Sequence, residues 1–271
     1  MKFHLLVFII LTVFLSCNSE QKKVTKDSKA ESFEDEAILN NPPNGYETLF
    51  NGENFNGWNI ITDNKESDVE LFSIENGMIQ TYKDLEANSL QPFGELITEK
   101  EYKNYILTLE YKWGDKKFKP RHEAVRDAGV LFHAFEESIF WASGAECQIQ
   151  EGDTGDLWLI GVRGSTKIDA SNGHYAQKGK VFTKGKDPKK RYQSFARNWF
   201  WENITGWNKI VIEVKGDKAT FMVNGKLVNE VFDLGHYDED SKEWKTLKKG
   251  KILLQAEGAE IYYRNIYLKQ L

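Results

Sequence analysis

The sequence is short of cysteine, proline, histidine and positive charge. Only 2 cysteines occur among 271 residues, Cys17 and Cys147, and they are not equivalent, so no disulfide framework organises the fold. The 5 histidines show no H-x-H or HExxH spacing, so no zinc site is signalled. Net charge is −5 and no lysine-rich stretch is interleaved with aromatics, which sets nucleic acid aside as a partner. No window of helical length carries an apolar stripe of 3.6-residue period. What remains is an ordinary globular composition, 40% hydrophobic and 28% charged, with 8 Trp. The length fits one large all-β domain or two small ones. Surplus tryptophan caps a β-sandwich core or offers flat platforms to sugar rings.

The N-terminus reads "MKFHLLVFIILTVFLSC". Lys2 is a charged start, Phe3 to Phe14 is apolar, and "FLSC" is a lipobox-like end, with Phe14 where leucine is usual. The segment is too short for a membrane span and reads as a signal peptide, residues 1–17, with lipidation expected at Cys17. The expected protein is exported and sits in the cell envelope, on the periplasmic or outer-membrane face. Its expected contact with membrane is the lipid anchor only. Residues 18–44 are polar and charged and read as a tether ending at Pro42-Pro43. The folded part is expected over 45–271.

There the signals are mostly β. "ELFSIENGMIQTY" turns at Asn76-Gly77, a strong hairpin signal. "GELITEKEYKNYILTLEYKW" gives two strands, the second alternating through Tyr105, Leu107, Leu109 and Tyr111. "DAGVLFHAF" reads as a buried strand, and "NKIVIEVKGDKATFMVNGKLVNEV" as a three-strand meander. "KILLQAEGAEIYYRNIYLKQL" reads as a closing hairpin about Glu257-Gly258. Many short strands with Gly and Asn turns predict an all-β sandwich or jelly roll of two antiparallel sheets. Residues 164–206 carry little regular pattern. Such a long segment, ending in the apolar "NWFWEN", is expected to fold over one face.

The candidate chemistry centres on "GAECQIQEGDTGDLW". Strand alternation sends Cys147 and Ile149 to one side and Glu146, Gln148 and Gln150 to the other. That polar side is either the floor of a groove or a solvated surface. Glu146, Gln148 and Glu151 are similar to the E-x-D-x-x-E strand of bacterial endo-β-glucanases, with Gln148 at the central aspartate. Retaining glycosidases need carboxyls about 5–5.5 Å apart, and an unbulged strand sends Glu151 to the face opposite Glu146. His133 in "VLFHAF" is either a core histidine or an acid/base. Glu151, Asp153 and Asp156 suit a solvated turn, substrate contacts or Ca²⁺. Arg163 could pair with that acidic cluster or meet a substrate oxygen. Trp141, Trp158, Trp199 and Trp201 are candidate sugar platforms. The cofactor is unknown, with a divalent metal as the candidate.

Taken in series, "GYETLFNGENFNGW", "DAGVLFH", "ECQIQEGDTGDLW", "GWNKIVIEVKGDKATFMVNGK" and "KILLQAEGAEIYYRNIYL" resemble the 3-keto-disaccharide hydrolase family. The resemblance spans Gly45 to Leu271. It implies a concanavalin A-like lectin/glucanase sandwich and an oligosaccharide or glycoside substrate. Asp127 and Cys147 depart from the asparagine and tyrosine more usual in the family. The implied chemistry is removal of the C2 proton beside a C3 ketone, followed by elimination of the glycosidic oxygen from C1. For that chemistry the candidate catalytic residues are Glu146, His133 and Gln148, with Arg163 or a metal at the oxyanion. Glu151, Asp153, Trp158, Arg163, Trp141 and Trp201 would bind substrate. A conventional glucanase and a non-catalytic carbohydrate-binding lipoprotein stay open as alternatives.

Overall fold

The structure, a computed structural model, describes residues 39–271. The signal-like segment, Cys17 and most of the expected tether lie outside the described residues. At the boundary Asn40 donates its N–H to Asn265 Oδ1 at 3.0 Å and its Nδ2 to the Gly77 carbonyl at 2.8 Å. Defined contacts therefore start a few residues ahead of Gly45.

Eighteen strands form among the described residues, and no helix. The first six are β1 (Glu47–Thr48), β2 (Trp58–Thr62), β3 (Phe72–Glu75), β4 (Met78–Thr81), β5 (Gly94–Thr98) and β6 (Asn104–Lys117). The middle six are β7 (Asp127–Phe135), β8 (Ser143–Gln150), β9 (Leu157–Ile160), β10 (Val162–Ile168), β11 (Lys180–Lys184) and β12 (Tyr192–Phe195). The last six are β13 (Asn208–Lys215), β14 (Lys218–Val223), β15 (Lys226–Asp238), β16 (Glu243–Thr246), β17 (Lys251–Ala256) and β18 (Ala259–Gln270). The larger sheet has 11 strands in the order β11-β10-β15-β14-β13-β6-β18-β4-β3, with β1 on β18 and β16 on β15. The smaller has 7, ordered β12-β9-β8-β7-β17-β5-β2. This is the expected concanavalin A-like sandwich of two antiparallel sheets.

The alternation read from the sequence builds the core. Tyr105, Leu107, Leu109 and Tyr111 of β6 and Ile210, Ile212 and Val214 of β13 are fully buried from the larger sheet. Val130, Phe132, Ala145, Cys147, Ile149, Leu157 and Leu254 meet them from the smaller sheet in one cluster. The hairpins at Asn76-Gly77 and Asn224-Gly225 hold both turn residues at positive φ, which is why Asn-Gly stands there.

Two expectations fail. "KILLQAEGAEIYYRNIYLKQL" is not a hairpin: β17 pairs with β5 and β7, whereas β18 pairs with β6 and β4, so Glu257-Gly258 carries the chain from one sheet to the other. Residues 164–206 do not blanket a face. β10 and β11 extend the larger sheet at one edge, and β12 extends the smaller beside β9. Their short strands, broken by glycine and lysine, gave no clear period of two. The chain changes sheets at Gly161, which has a positive φ of 65°.

Candidate active site

β8 obeys its alternation. Ala145, Cys147 and Ile149 are fully buried between the sheets, so Glu146, Gln148 and Gln150 point to the outer face of the smaller sheet. Register brings them company. Glu146 lies opposite Leu131 on β7 and Trp158 on β9, Gln148 opposite Gly129, and Gln150 opposite Asp127. On the neighbouring strands Gln255 pairs with Glu95. A solvated outer face would leave such residues exposed. Instead Glu95 is 0% exposed, Asp127 3%, Glu146 4%, Gln148 5% and Gln255 2%. The polar side of β8 is therefore an enclosed polar site, not a wetted surface.

The cover comes from both ends. At one, Trp141 stacks on Phe93 at 6.1 Å and the Ala142 N–H donates to Glu95 Oε1 at 2.8 Å. Arg191 donates to the Trp141 carbonyl and, at 2.9 Å, to Ser143 Oγ. At the other, Arg121 binds Asp127 and reaches Glu257 Oε1 at 2.7 Å. Asp127 also accepts from Gln148 Nε2 at 3.1 Å and Gln150 Nε2 at 2.7 Å. None of five cavities of about 430–510 Å³ on the described surface is lined by Glu146, Gln148 or Asp127.

The charges are unevenly compensated. Glu146 is held well above the ordinary carboxylate range, first by burial and then by Glu257 and Asp127, which favours its protonated form. Burial raises Asp127 to about 6, and burial with the Asp127 charge raises Glu257 to about 8; the shared Arg121 offsets only part of either rise. The site thus groups three raised carboxyls, two of them on one guanidinium. Gly129 makes this possible, since a Cβ there would collide with Glu146 Oε1 and Gln255 Oε1. Among the described residues Gln148 Oε1, Gln255 Oε1 and Glu95 Oε2 are buried acceptors without a partner. Such groups are costly unless something donates to them, and sugar hydroxyls are donors of the right kind.

The same burial predicts a pH dependence. Desolvation raises the Glu95 carboxyl from 4.5 to about 7. A carboxyl raised on folding contributes stability that is whole below its unfolded value and lost as pH climbs through its folded one. For Glu95 that window runs from about 4.5 to about 7 and is worth roughly 3 kcal/mol. Melting temperature should therefore fall between pH 5 and pH 8, and Glu95→Gln should flatten the slope. An equal slope in both proteins would show that Glu95 titrates normally.

The structure sorts the residues named from the sequence. Glu146, Gln148 and Trp158 share the polar face, with Trp141 at its end. His133 does not, and its expected acid/base role is corrected. A bulge in β7 and a positive φ of 53° turn it toward the other sheet, where Nε2 donates to the Gly216 carbonyl at 2.7 Å. Burial lowers its pKa, as befits a neutral core histidine. Arg163 is corrected too: it stands on β10 in the larger sheet, its guanidinium 5.1 Å from the Trp244 ring centroid. Trp201 sits by the β14–β15 turn, its carbonyl accepting from Asn224 Nδ2 at 2.8 Å. Glu151 lies past the end of β8, bound by Arg126 at 2.9 Å, which lowers its pKa. Asp153 and Asp156 are tied to Arg197 at 2.9 and 3.3 Å, so the acidic turn spends its charge on arginines. Among the described residues no three His, Cys, Asp or Glu side chains converge as metal ligands.

Sequence reasoning missed Arg121, Glu257, Gln255 and Glu95 as parts of the site, and met Asp127 only as a departure from the family. The available signal was alternation: Gln255 and Glu257 are two apart in "LLQAEG", as Glu146 and Gln148 are in "ECQ". Nothing local tells that these strands pair in one sheet.

The chain resembles solved structures of the same architecture. One, from Parabacteroides distasonis ATCC 8503 and described as a glycosyl hydrolase, is 21% identical with a TM-score of 0.51, over 84% of this chain and 94% of that one. A second from the same organism, described likewise, is 17% identical with a TM-score of 0.50, over 84% and 100%. At these identities the likeness shows the fold. Among curated protein sequences none matches. The 3-keto-alpha-glucoside-1,2-lyase-like domain matches residues 45–269, most of the chain. Over that span the protein belongs to the 3-keto-alpha-glucoside-1,2-lyase-like family and is a carbohydrate-active domain.

Proposed function

We propose that this domain cleaves the glycosidic bond of 3-keto-glycosides by taking the proton from C2 and eliminating the oxygen at C1. The carrying observation is Glu146, a buried carboxyl without an arginine or lysine partner among the described residues, beside two carboxyls that share Arg121. A site that holds an acid and a base at once suits a reaction that must remove one proton and supply another. Asp127, which burial raises only to about 6 and which Arg121 bridges, takes the C2 proton. The C2–H electrons form the enolate at C2–C3, with Arg121 facing the charge on the C3 oxygen. The enolate then collapses, the C1–O bond breaks with C1=C2 formed, and Glu146 gives its proton to the departing oxygen. Gln148, Gln255 and Glu95 accept from ring hydroxyls, and Trp158 offers the adjacent apolar surface. Water adding back across C1=C2 turns elimination into net hydrolysis.

Conventional retaining hydrolysis is less well supported. The Glu146–Glu151 pair it would use does not form, because Glu151 is held in the turn by Arg126. The test is direct. The purified domain is given a glucoside and its 3-keto derivative in D₂O, and products are followed by NMR. The keto form should be cleaved and the plain glucoside left intact, with deuterium entering C2 of recovered substrate when reprotonation precedes departure. Cleavage of the plain glucoside, or of neither compound, would overturn the proposal.

A further inference from the structure

The loop after β12 does something unusual with its aromatic residues. Trp199 is 72% exposed, Phe200 48% and Trp201 43%, three consecutive large rings in water. The loop is nonetheless tightly held. The Asn198 N–H donates to the Val228 carbonyl at 2.9 Å, and Arg197 is fixed by Asp153 and Asp156. Beyond the rings, buried Glu202 accepts from Tyr111 Oη at 2.7 Å, Trp113 Nε1 at 2.8 Å and the Gly152 N–H at 2.9 Å. An anchored carboxylate on one side and a pinned strand end on the other present the rings outward. Trp199 itself has φ of 59°, a left-handed conformation that a bulky residue adopts only under constraint. Trp201 has one occupant, Lys226 Nζ at 5.3 Å from its ring centroid. Among the described residues Trp199 and Phe200 have no aromatic or cationic partner of that kind.

These two rings line a cavity of about 510 Å³ together with Tyr175, Asp169, Asn172 and His174. Its far wall is fixed by bridges from Tyr175 to Ile168 and from His174 to Ala196. Exposed flat rings beside amide, imidazole and carboxylate groups match a pyranose, which has apolar C–H faces and a rim of hydroxyls. The volume lies within the range of small-ligand sites. A lipid surface fits less well, because the apolar rings border Asp169, Asn172 and His174 and the neighbouring Arg197 is neutralised by aspartates. A second copy of this chain fits less well too, since a concave patch is not complementary to itself.

We propose that Trp199 and Phe200 form a second carbohydrate site, separate from the Glu146 face, that stacks on the rings of a neutral glucan chain. This site holds the polymer and does no chemistry. Affinity electrophoresis through gels containing laminarin, hydroxyethylcellulose or dextran tests it. The wild-type domain should be retarded by at least one of the three, and Trp199→Ala and Phe200→Ala should each weaken that retardation roughly tenfold or more. Trp199→Gly supplies the second measurement. Glycine accepts the left-handed conformation freely, so this variant should melt no lower than wild type while losing the retardation, and should cleave a small 3-keto-glucoside at the wild-type rate. No retardation by any of the three polymers overturns the proposal. So does retardation that survives the loss of Trp199, or a Trp199→Gly variant that melts well below wild type, which would make the ring structural. Binding of the wild type to anionic phosphatidylglycerol vesicles, lost in Trp199→Ala without any polysaccharide binding, would replace the proposal with a membrane contact.

Discussion

Glu146→Gln should slow cleavage of a 3-keto-glucoside by roughly 10²–10⁴, the range for removing a positioned acid or base, while leaving the domain folded. Both halves follow from the same geometry. Glu146 is raised well above the ordinary carboxylate range by burial and by Glu257 and Asp127, which favours the neutral form of the wild-type side chain. Glutamine has the same shape, the same lack of charge and an N–H where the carboxyl has its proton. No ion pair is lost and no charge is left uncompensated, the two events that make buried substitutions severe. What is lost is the proton itself, which an amide cannot give. The sign with pH is fixed as well. The wild type loses stability as pH climbs above 4.5 toward the folded value of Glu146, because the unfolded chain gives up this proton while the folded one keeps it, and the variant has no such loss. Below about pH 4.5 the two should melt together, and from neutral pH upward the variant should melt higher. Single-turnover rates and melting curves at two pH values check both. A variant with the wild-type rate would move the acid elsewhere on the polar face. One that fails to fold at neutral pH would make Glu146 a structural partner.

How much of this could be read beforehand depends on the range of the interaction. Strand alternation is local, so the split of Cys147 and Ile149 from Glu146 and Gln148 was legible, and so was the Asn76-Gly77 turn. Whether the polar side of β8 is wet or enclosed is not local. It depends on Arg121, reached through the loop before β7, and on the Trp141 segment laid over Glu95. His133 was misplaced because a bulge breaks the period of two, and a bulge leaves no mark in "VLFHAF". Arg163 was misplaced because the change of sheet at Gly161 puts it in the other sheet, which spacing to Trp158 cannot reveal. The family resemblance covered the right span but could not repair these placements, since a family's motif names positions and not the direction in which a side chain points.

Phe132→Ala should destabilise the domain by roughly 3–5 kcal/mol, the cost of truncating a buried aromatic to alanine. Phe132 is fully buried, on the strand that also carries Asp127 and Gly129, but on its opposite side. Its ring meets Phe221 of the larger sheet edge to face at 5.7 Å between centroids, so the truncation removes an aromatic pair as well as apolar area. The space cannot close by collapse. Both sheets are fixed by their ladders, and next to Phe132 the His133 bond to the Gly216 carbonyl holds β7 to the β13–β14 turn at a set distance. A cavity that cannot relax costs the upper part of the range. The polar face should be spared, because Glu146 pairs with Leu131 and projects away from the cavity. At a temperature where the variant is still mostly folded, its turnover of a 3-keto-glucoside should lie close to wild type, in contrast with Glu146→Gln. Urea unfolding gives the stability and a rate assay below the transition gives the turnover. A loss under 1.5 kcal/mol would mean that the sheets close over the gap, as they do when a core is loosely packed.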